Sequence, residues 1–142
     1  MILILDTDHV TTIQRQSEPQ YTKLITRLKK SRASSACTTI ISVEEQMRGW
    51  LSLIARTRNT PQEVDAYRRL DSLLTFFRGI PVLGYNEAAA DQVAILRAQR
   101  VRVSSMDLRI AAIALAKDAL LLSRNNKDFG RIPRLKVEDW TA

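Results

Sequence analysis

The chain opens on five apolar residues, Met1-Ile-Leu-Ile-Leu5, halted at once by Asp6. A strand that is apolar at every position has no face to give to water. It belongs inside a parallel sheet that is covered on both sides. Ser35–Ile41 (SACTTII), Ile80–Tyr85 and Ala119–Ser123 (ALLLS) read as further strands, with Leu135–Val137 as a short last one.

Helical spacing fills the intervals. Asp8 is placed to cap a short helix over His9–Arg15. Gln20–Lys30 follows, with Tyr21, Leu24, Ile25 and Leu28 on one face. Ser42 is placed to cap a helix to about Arg56. Thr60-Pro61-Gln62-Glu63 predicts a start with a threonine cap, proline in the first position and a capping box. That helix runs to Arg78, with Val64, Tyr67, Leu70, Leu74 and Phe77 inward, and Gly79 ends it. Asn86 caps a helix to about Gln99, and Ser104 or Ser105 caps the next, over Asp107–Lys117.

Strands alternating with helices predict an α/β fold, with a mainly parallel central sheet of four or five strands and helices on both faces. The 142 residues suit one domain over 1–142. The first apolar run is too short for a signal peptide or a membrane span. Cys37 is the only cysteine, which excludes an internal disulfide and a cysteine-based metal site and suits a reducing cytoplasm. It reads as a small buried residue. His9 is the only histidine, which weighs against a nucleophilic triad and a histidine zinc site, and His9 reads as a surface or capping residue.

Ligands of open parallel sheets bind beyond the carboxyl ends of the strands, which turns attention to the acids at those turns. Asp6 follows the first strand directly. Glu45 falls in the first turn of the helix after the second strand, Asp107 in the first turn of a later helix, and Asp128 a few residues past the fourth strand. Each has a purely structural reading as well. Glu45 stands three residues after Ser42 and Asp107 three after Ser104, both capping-box spacings. Acids in a first helical turn complement the helix dipole, and Asp128 suits a turn.

Four carboxylates in one cleft repel one another, and a hard divalent cation removes that cost. Mg²⁺ or Mn²⁺ held by such acids can activate water for phosphodiester hydrolysis. The net charge of +7 fits the same chemistry, because a basic surface attracts a polyanion. The basic residues are spread along the chain, Arg32 among them, and form no single block. Arg48, Arg124 and Lys127 adjoin the acids in sequence and are candidates for phosphate contact, with solvated surface charge as the plain alternative.

Three blocks carry a family resemblance: MILILDTDHVTTIQR, TTIISVEEQMRGW with Gly49 four residues after Glu45, and SSMDLRIAAIALAKDALLLSRNNKDFGRIP. In order, spacing and length they resemble the PIN-domain family, in particular the VapC-like ribonuclease toxins. The resemblance implies a PIN-like three-layer sandwich and metal-binding, catalytic acids at Asp6, Glu45, Asp107 and Asp128. It places Asn125 at a polar position near that site. The family commonly has asparagine where this chain has Asp8, which makes Asp8 an outer ligand or only a cap. Also implied are Mg²⁺-dependent endoribonuclease activity, homodimerisation and a VapB-like antitoxin partner.

Two other readings compete. Asp6-Thr-Asp8-His-Val10 also resembles the opening of haloacid-dehalogenase-type phosphatases, with Asp6 as nucleophile and Asp8 as acid/base. That reading lacks the late acid pair it needs. A PIN-like domain that binds RNA or a partner without cleaving is the second. Trp50 and Trp140 read as packing residues, as do Tyr67, Phe76 and Phe77.

Overall fold

A computed structural model describes residues 1–31 and 35–142, without the Ser35 side chain, so Arg32 lies outside the described residues. The strands are β1 (Ile2–Leu5), β2 (Ser35–Thr39), β3 (Val82–Leu83), β4 (Leu120–Leu122) and β5 (Lys136–Glu138). They form one sheet in the order β3-β2-β1-β4-β5, and every pairing is parallel. The chain winds outward from β1 through β2 to β3, then crosses back to place β4 on the other side of β1. The sheet's topological switch point therefore lies between β1 and β4, where α/β folds open a ligand crevice.

The all-apolar strands are buried on both faces, as their composition predicts. Leu3 and Leu5 of β1 join Leu120 and Leu122 of β4 in one core, with Val10, Leu24 and Trp140. Ile4 and Leu121, one residue out of step, join the opposite core with Ala89, Val93, Leu96, Ile110 and Phe129. Strand side chains alternate between faces, so one short strand feeds both layers. The first core is covered by α1 (Thr7–Arg15), α2 (Gln20–Lys30) and the end of α4 (Thr60–Arg78). The second is covered by α5 (Glu87–Ala98), α6 (Ser105–Ala116) and the single turn α7 (Asn126–Phe129). The expected three-layer arrangement is thus present. No helix among the described residues is long and apolar enough to cross a membrane.

Several helix starts differ from the sequence reading. α1 is capped by Asp6, not Asp8, because Asp6 already accepts the Thr7 N–H at 2.8 Å. α3 spans Ile40–Ala55 and is capped by Thr39, whose hydroxyl accepts from the Ser42 N–H at 3.2 Å. Ser42 is therefore inside the helix, and Glu45 falls in its second turn. α4 is capped by Asn59 rather than Thr60, through the Gln62 N–H at 2.9 Å, while the Gln62 side chain accepts from the Arg58 N–H at 2.8 Å. Asparagine and threonine are both good caps, and the one aimed at the open N–H groups prevails.

The inward face of α4 also differs. Ala66 and Leu73 are its buried residues, with Leu70, Phe76 and Phe77 half-buried, whereas Val64, Tyr67 and Leu74 are exposed. The stripe at 66, 70, 73 and 77 has four-three-four spacing and packs toward the core. The rival stripe at 64, 67 and 74 faces outward.

Candidate active site

The acid cleft is organised by the register of β1 and β4. Leu5 pairs with Leu122, so the next residues on each strand, Asp6 and Ser123, stand side by side. The Asp6 N–H continues the ladder to the Leu122 carbonyl at 2.9 Å. One Asp6 carboxylate oxygen caps α1, and the other accepts from the Ser123 hydroxyl at 2.7 Å. Asp6 is only 7% exposed, and its pKa rises from 3.8 to about 6. Burial is the main cause, the adjacent charge of Asp8 the next, and Glu45 contributes, against the opposing hydrogen bonds of Ser123 and Thr7.

Asp8 lies in the first turn of α1. Its Oδ2 accepts from the Arg124 N–H at 3.0 Å and its Oδ1 faces the His9 ring. Glu45 reaches the cleft from α3. Burial pushes its carboxyl up, helped by Asp107, Glu44 and Asp8. The Thr7 hydroxyl is near enough to oppose that rise but makes no well-formed hydrogen bond, and its oxygen is buried. Asp107 is held in the first turn of α6 by its own N–H, which donates to the Ser104 cap at 3.1 Å. Burial raises Asp107 too, with Asp128 and Asp8 adding to the effect. Asn125 caps α7 and bridges two acids. Its amide nitrogen stands 3.2 Å from Asp128 Oδ2 and 3.4 Å from Asp107 Oδ2.

Asp6, Asp8, Glu45, Asp107, Arg124 and Asn125 therefore line one open cleft of about 640 Å³, with Arg15 also in its lining. Asp128 does not line it but adjoins Asp107 through Asn125. Arg48 is also absent from the lining. It pairs with Glu44 at 2.6 Å on α3, an (i, i+4) contact that holds it on the outer side of the helix. Lys127 is exposed on α7 outside the cleft. These two are the weakest of the expected phosphate contacts.

Among the described residues, no three histidine, cysteine, aspartate or glutamate side chains form a group that could hold a metal ion as they stand. The acids are spread around the cleft and partly engaged by protein donors. Their chemistry still fits a small hard cation, which takes oxygen ligands, binds through one or two carboxylates and keeps several waters. Raised carboxyl pKa values and an unpartnered buried hydroxyl at Thr7 mark a site whose polar groups the protein alone does not satisfy.

Two participants were not legible as such. Ser123 is wholly buried between Asp6 and Asp8. His9, expected at the surface or at a cap, is wholly buried and bonded on both ring nitrogens. The signal for Ser123 was present in the polar residue closing an apolar strand. The signal for His9 was absent, because its second partner, Trp140, is 131 residues away. Trp140 packs in the core with Arg27 stacked 4.7 Å from its ring, and Cys37 is buried as expected.

Comparison with known proteins bears out the resemblance to the VapC-like toxins. No family model matches the chain. A curated relative, the tRNA(fMet)-specific endonuclease VapC of Shigella flexneri, is 32% identical over 78 residues. The match covers 52% of this chain and 59% of the relative, so the chain spans little more than half of that protein. The solved structure of VapBC2 from Rickettsia felis bound to a promoter DNA fragment aligns with a TM-score of 0.74 at 22% identity, covering 99% of both chains. VapBC-1 of nontypeable Haemophilus influenzae aligns with a TM-score of 0.74 at 24% identity over 100% of each chain. FitAcB from Neisseria gonorrhoeae aligns at 0.68 and 23% identity, over 99% and 98%. The fold is shared with these proteins.

Proposed function

We propose that the protein is a divalent-cation-dependent endoribonuclease and the toxin of a toxin–antitoxin pair, acting on RNA in a reducing cytoplasm. The observation that carries the reading is the convergence of Asp6, Asp8, Glu45 and Asp107 with Arg124 at the switch point between β1 and β4. An acid-lined cleft on a basic chain suits a phosphodiester polyanion. The likeness to a tRNA-specific endonuclease and to VapBC complexes supports the same reading, and points to a VapB-like partner.

Asp6 and Asp107 are the residues that would hold Mg²⁺ or Mn²⁺, with Glu45 and Asp128 completing or extending the set. Such an ion, when bound, lowers the pKa of its water and offsets charge on the phosphoryl oxygens. Arg124 and Arg15, both in the cleft lining, would contact backbone phosphates. Asn125 ties Asp107 to Asp128 by donating to both. Glu45, raised by burial, is suited to accept a proton from the attacking water. Ser123 holds Asp6 in one orientation. Asp8 faces the His9 ring with one oxygen and accepts the Arg124 N–H with the other, so protein partners fix its orientation at the cleft.

The test is cleavage of structured and unstructured RNAs, initiator transfer RNA among them, with Mg²⁺, with Mn²⁺ and with chelator. Asp107→Ala controls for contaminating nuclease. Metal-dependent cleavage that disappears in the variant supports the reading. Folded protein that binds RNA but cuts none of it would replace this with the non-cleaving alternative. Sedimentation of the protein alone tests the homodimer.

A further inference from the structure

His9 is the only histidine, wholly buried, and it joins the start of α1 to the segment after β5. Its Nε2 lies 3.2 Å from the backbone nitrogen of Trp140. A backbone N–H can only donate, so Nε2 is the acceptor and the ring proton sits on Nδ1, aimed at Asp8 Oδ1. The nearby Asp139 carboxylate does not compete. It stands 3.7 Å from Nε2 and already accepts the N–H and hydroxyl of Thr141 at 2.8 and 2.6 Å.

The other oxygen of Asp8 accepts the Arg124 N–H at 3.0 Å, with the Ser123 hydroxyl 3.4 Å away. Asp8 is thus a clasp between α1 and the turn after β4. That turn carries Arg124, then Asn125, which spans Asp107 and Asp128. A carboxylate fixed at only one oxygen rotates. Held at both, it fixes whatever the second oxygen touches.

We propose that His9 is a positioning residue. Oriented by the Trp140 amide, it locks Asp8 onto the Arg124 amide and so sets the β4–α7 turn against Asp6. Asp8 on this account is the support that carries the turn. The effect on RNA cleavage rests on the nuclease reading, whereas the clasp itself does not.

Two substitutions separate the halves of the ring. Asparagine places an amide N–H near the Nδ1 position and can still donate to Asp8. Glutamine reaches the Nε2 position and can accept from Trp140, but leaves Asp8 without its donor. His9→Gln and His9→Asn in the full chain are compared by residue-resolved amide hydrogen exchange and by RNA cleavage at saturating Mg²⁺. His9→Gln is expected to keep Trp140 protected while Arg124 exchanges about tenfold faster or more. Its kcat falls about tenfold or more with KM within about threefold, the mark of misplaced groups rather than lost binding. His9→Asn keeps Arg124 protected and stays closer to the parent in kcat.

Equal behaviour of the two variants in exchange would overturn the proposal, since it would mean that His9 only fills space. If both fail to fold, Asp8→Asn takes their place. An asparagine there presents one donor to groups that both donate, so Arg124 exchange rises, and unchanged exchange overturns the clasp. If the parent cleaves no RNA, the nuclease reading fails, and the exchange measurements still decide the role of His9.

Discussion

The acid cleft and the α3–α4 pair invert the usual placement of side chains. At the cleft, polar groups are inside: Asp6, His9, Thr12 and Ser123 are buried. Along α3 and α4, apolar groups are outside. Leu51, Val64, Tyr67 and Leu74 are exposed, and the two helices together bury only Ile41, Ser42, Ala66 and Leu73. Directional hydrogen bonds fix the first region atom by atom. The second is held by a narrow apolar seam, with few bonds to define it. The same chain therefore holds an over-determined region, where a change of one atom matters, beside one where whole side chains are replaceable.

Asp6→Asn is the substitution with the largest expected effect, and its effects are of opposite sign. If Asp6 holds the cation as proposed, cleavage should fall on the order of a thousandfold, because losing a ligand costs more than losing the supporting groups around it. The metal-free protein should become more stable at pH 7. The folded pKa of about 6 lies above the ordinary 3.8. A carboxyl raised in this way favours the fold while it is protonated, and that contribution is lost as pH rises through the folded value. The difference of about two units corresponds to about 3 kcal/mol, on the order of what asparagine would restore. Asparagine also keeps an oxygen to cap α1. Thermal unfolding in chelator at pH 4 to 7 checks this: the parent loses stability across that interval and the variant loses less. Added Mg²⁺ should stabilise the parent, most at the upper end. A parent curve that rises with pH in chelator would break the account.

Core truncations sharpen the contrast between the regions. Leu121 is wholly buried in β4 beneath the cleft, and Leu121→Ala should cost about 3–5 kcal/mol in urea unfolding. Leu73, 4% exposed, borders an open groove between α1, α3 and α4. Leu73→Ala should cost nearer about 2 kcal/mol, since a site open on one side relaxes more easily. Equal costs would mean that the α3–α4 seam is as tightly specified as the sheet.

The same contrast governs what was legible in the sequence. The strands could be read because residues buried on both faces leave unbroken apolar runs at β1 and β4. The convergence of Asp6, Glu45 and Asp107 could be read because parallel topology sends strand ends and the helices near them to one edge, whereas Asp128 stands outside the cleft lining. Cap choice was less legible: Asp6 against Asp8, Thr39 against Ser42 and Asn59 against Thr60 are contests between good capping residues one to three positions apart. The face of α4 was illegible for a tertiary reason. Two apolar stripes run along it, and the inward one begins with Ala66, too small to stand out. Packing of α4 against α3 and the sheet core decides between them. Asp8's role was hidden because its partners, the His9 ring and the Arg124 amide, are fixed by groups more than a hundred residues away.

Asn59→Ala should cost about 1 kcal/mol, read as a lower urea midpoint with unchanged slope. Thr60 should not rescue it, since the Gln62 N–H donates to Asn59 in the folded helix. Cleavage should be unaffected, because the cap lies at the far end of α4 from the residues that join the sheet core, Phe76 and Phe77. A loss of activity without a loss of stability would show that the α3–α4 pair and the cleft are coupled.

The smallest expected effect tests the outer face of α4 directly. Val64 is 51% exposed and Tyr67 56%, so little apolar area leaves water when the helix folds, and substitutions there act on surface rather than core. Val64→Ser and Tyr67→Ser should each change unfolding free energy by less than about 0.5 kcal/mol at low protein concentration. Had the other stripe been inward, each would cost several times more. Repeating the melts over a hundredfold range of concentration adds a second reading. A midpoint that rises with concentration in the parent, and not in Tyr67→Ser, would mean that this face is covered by a second copy, and that its exposure belongs to the isolated chain alone.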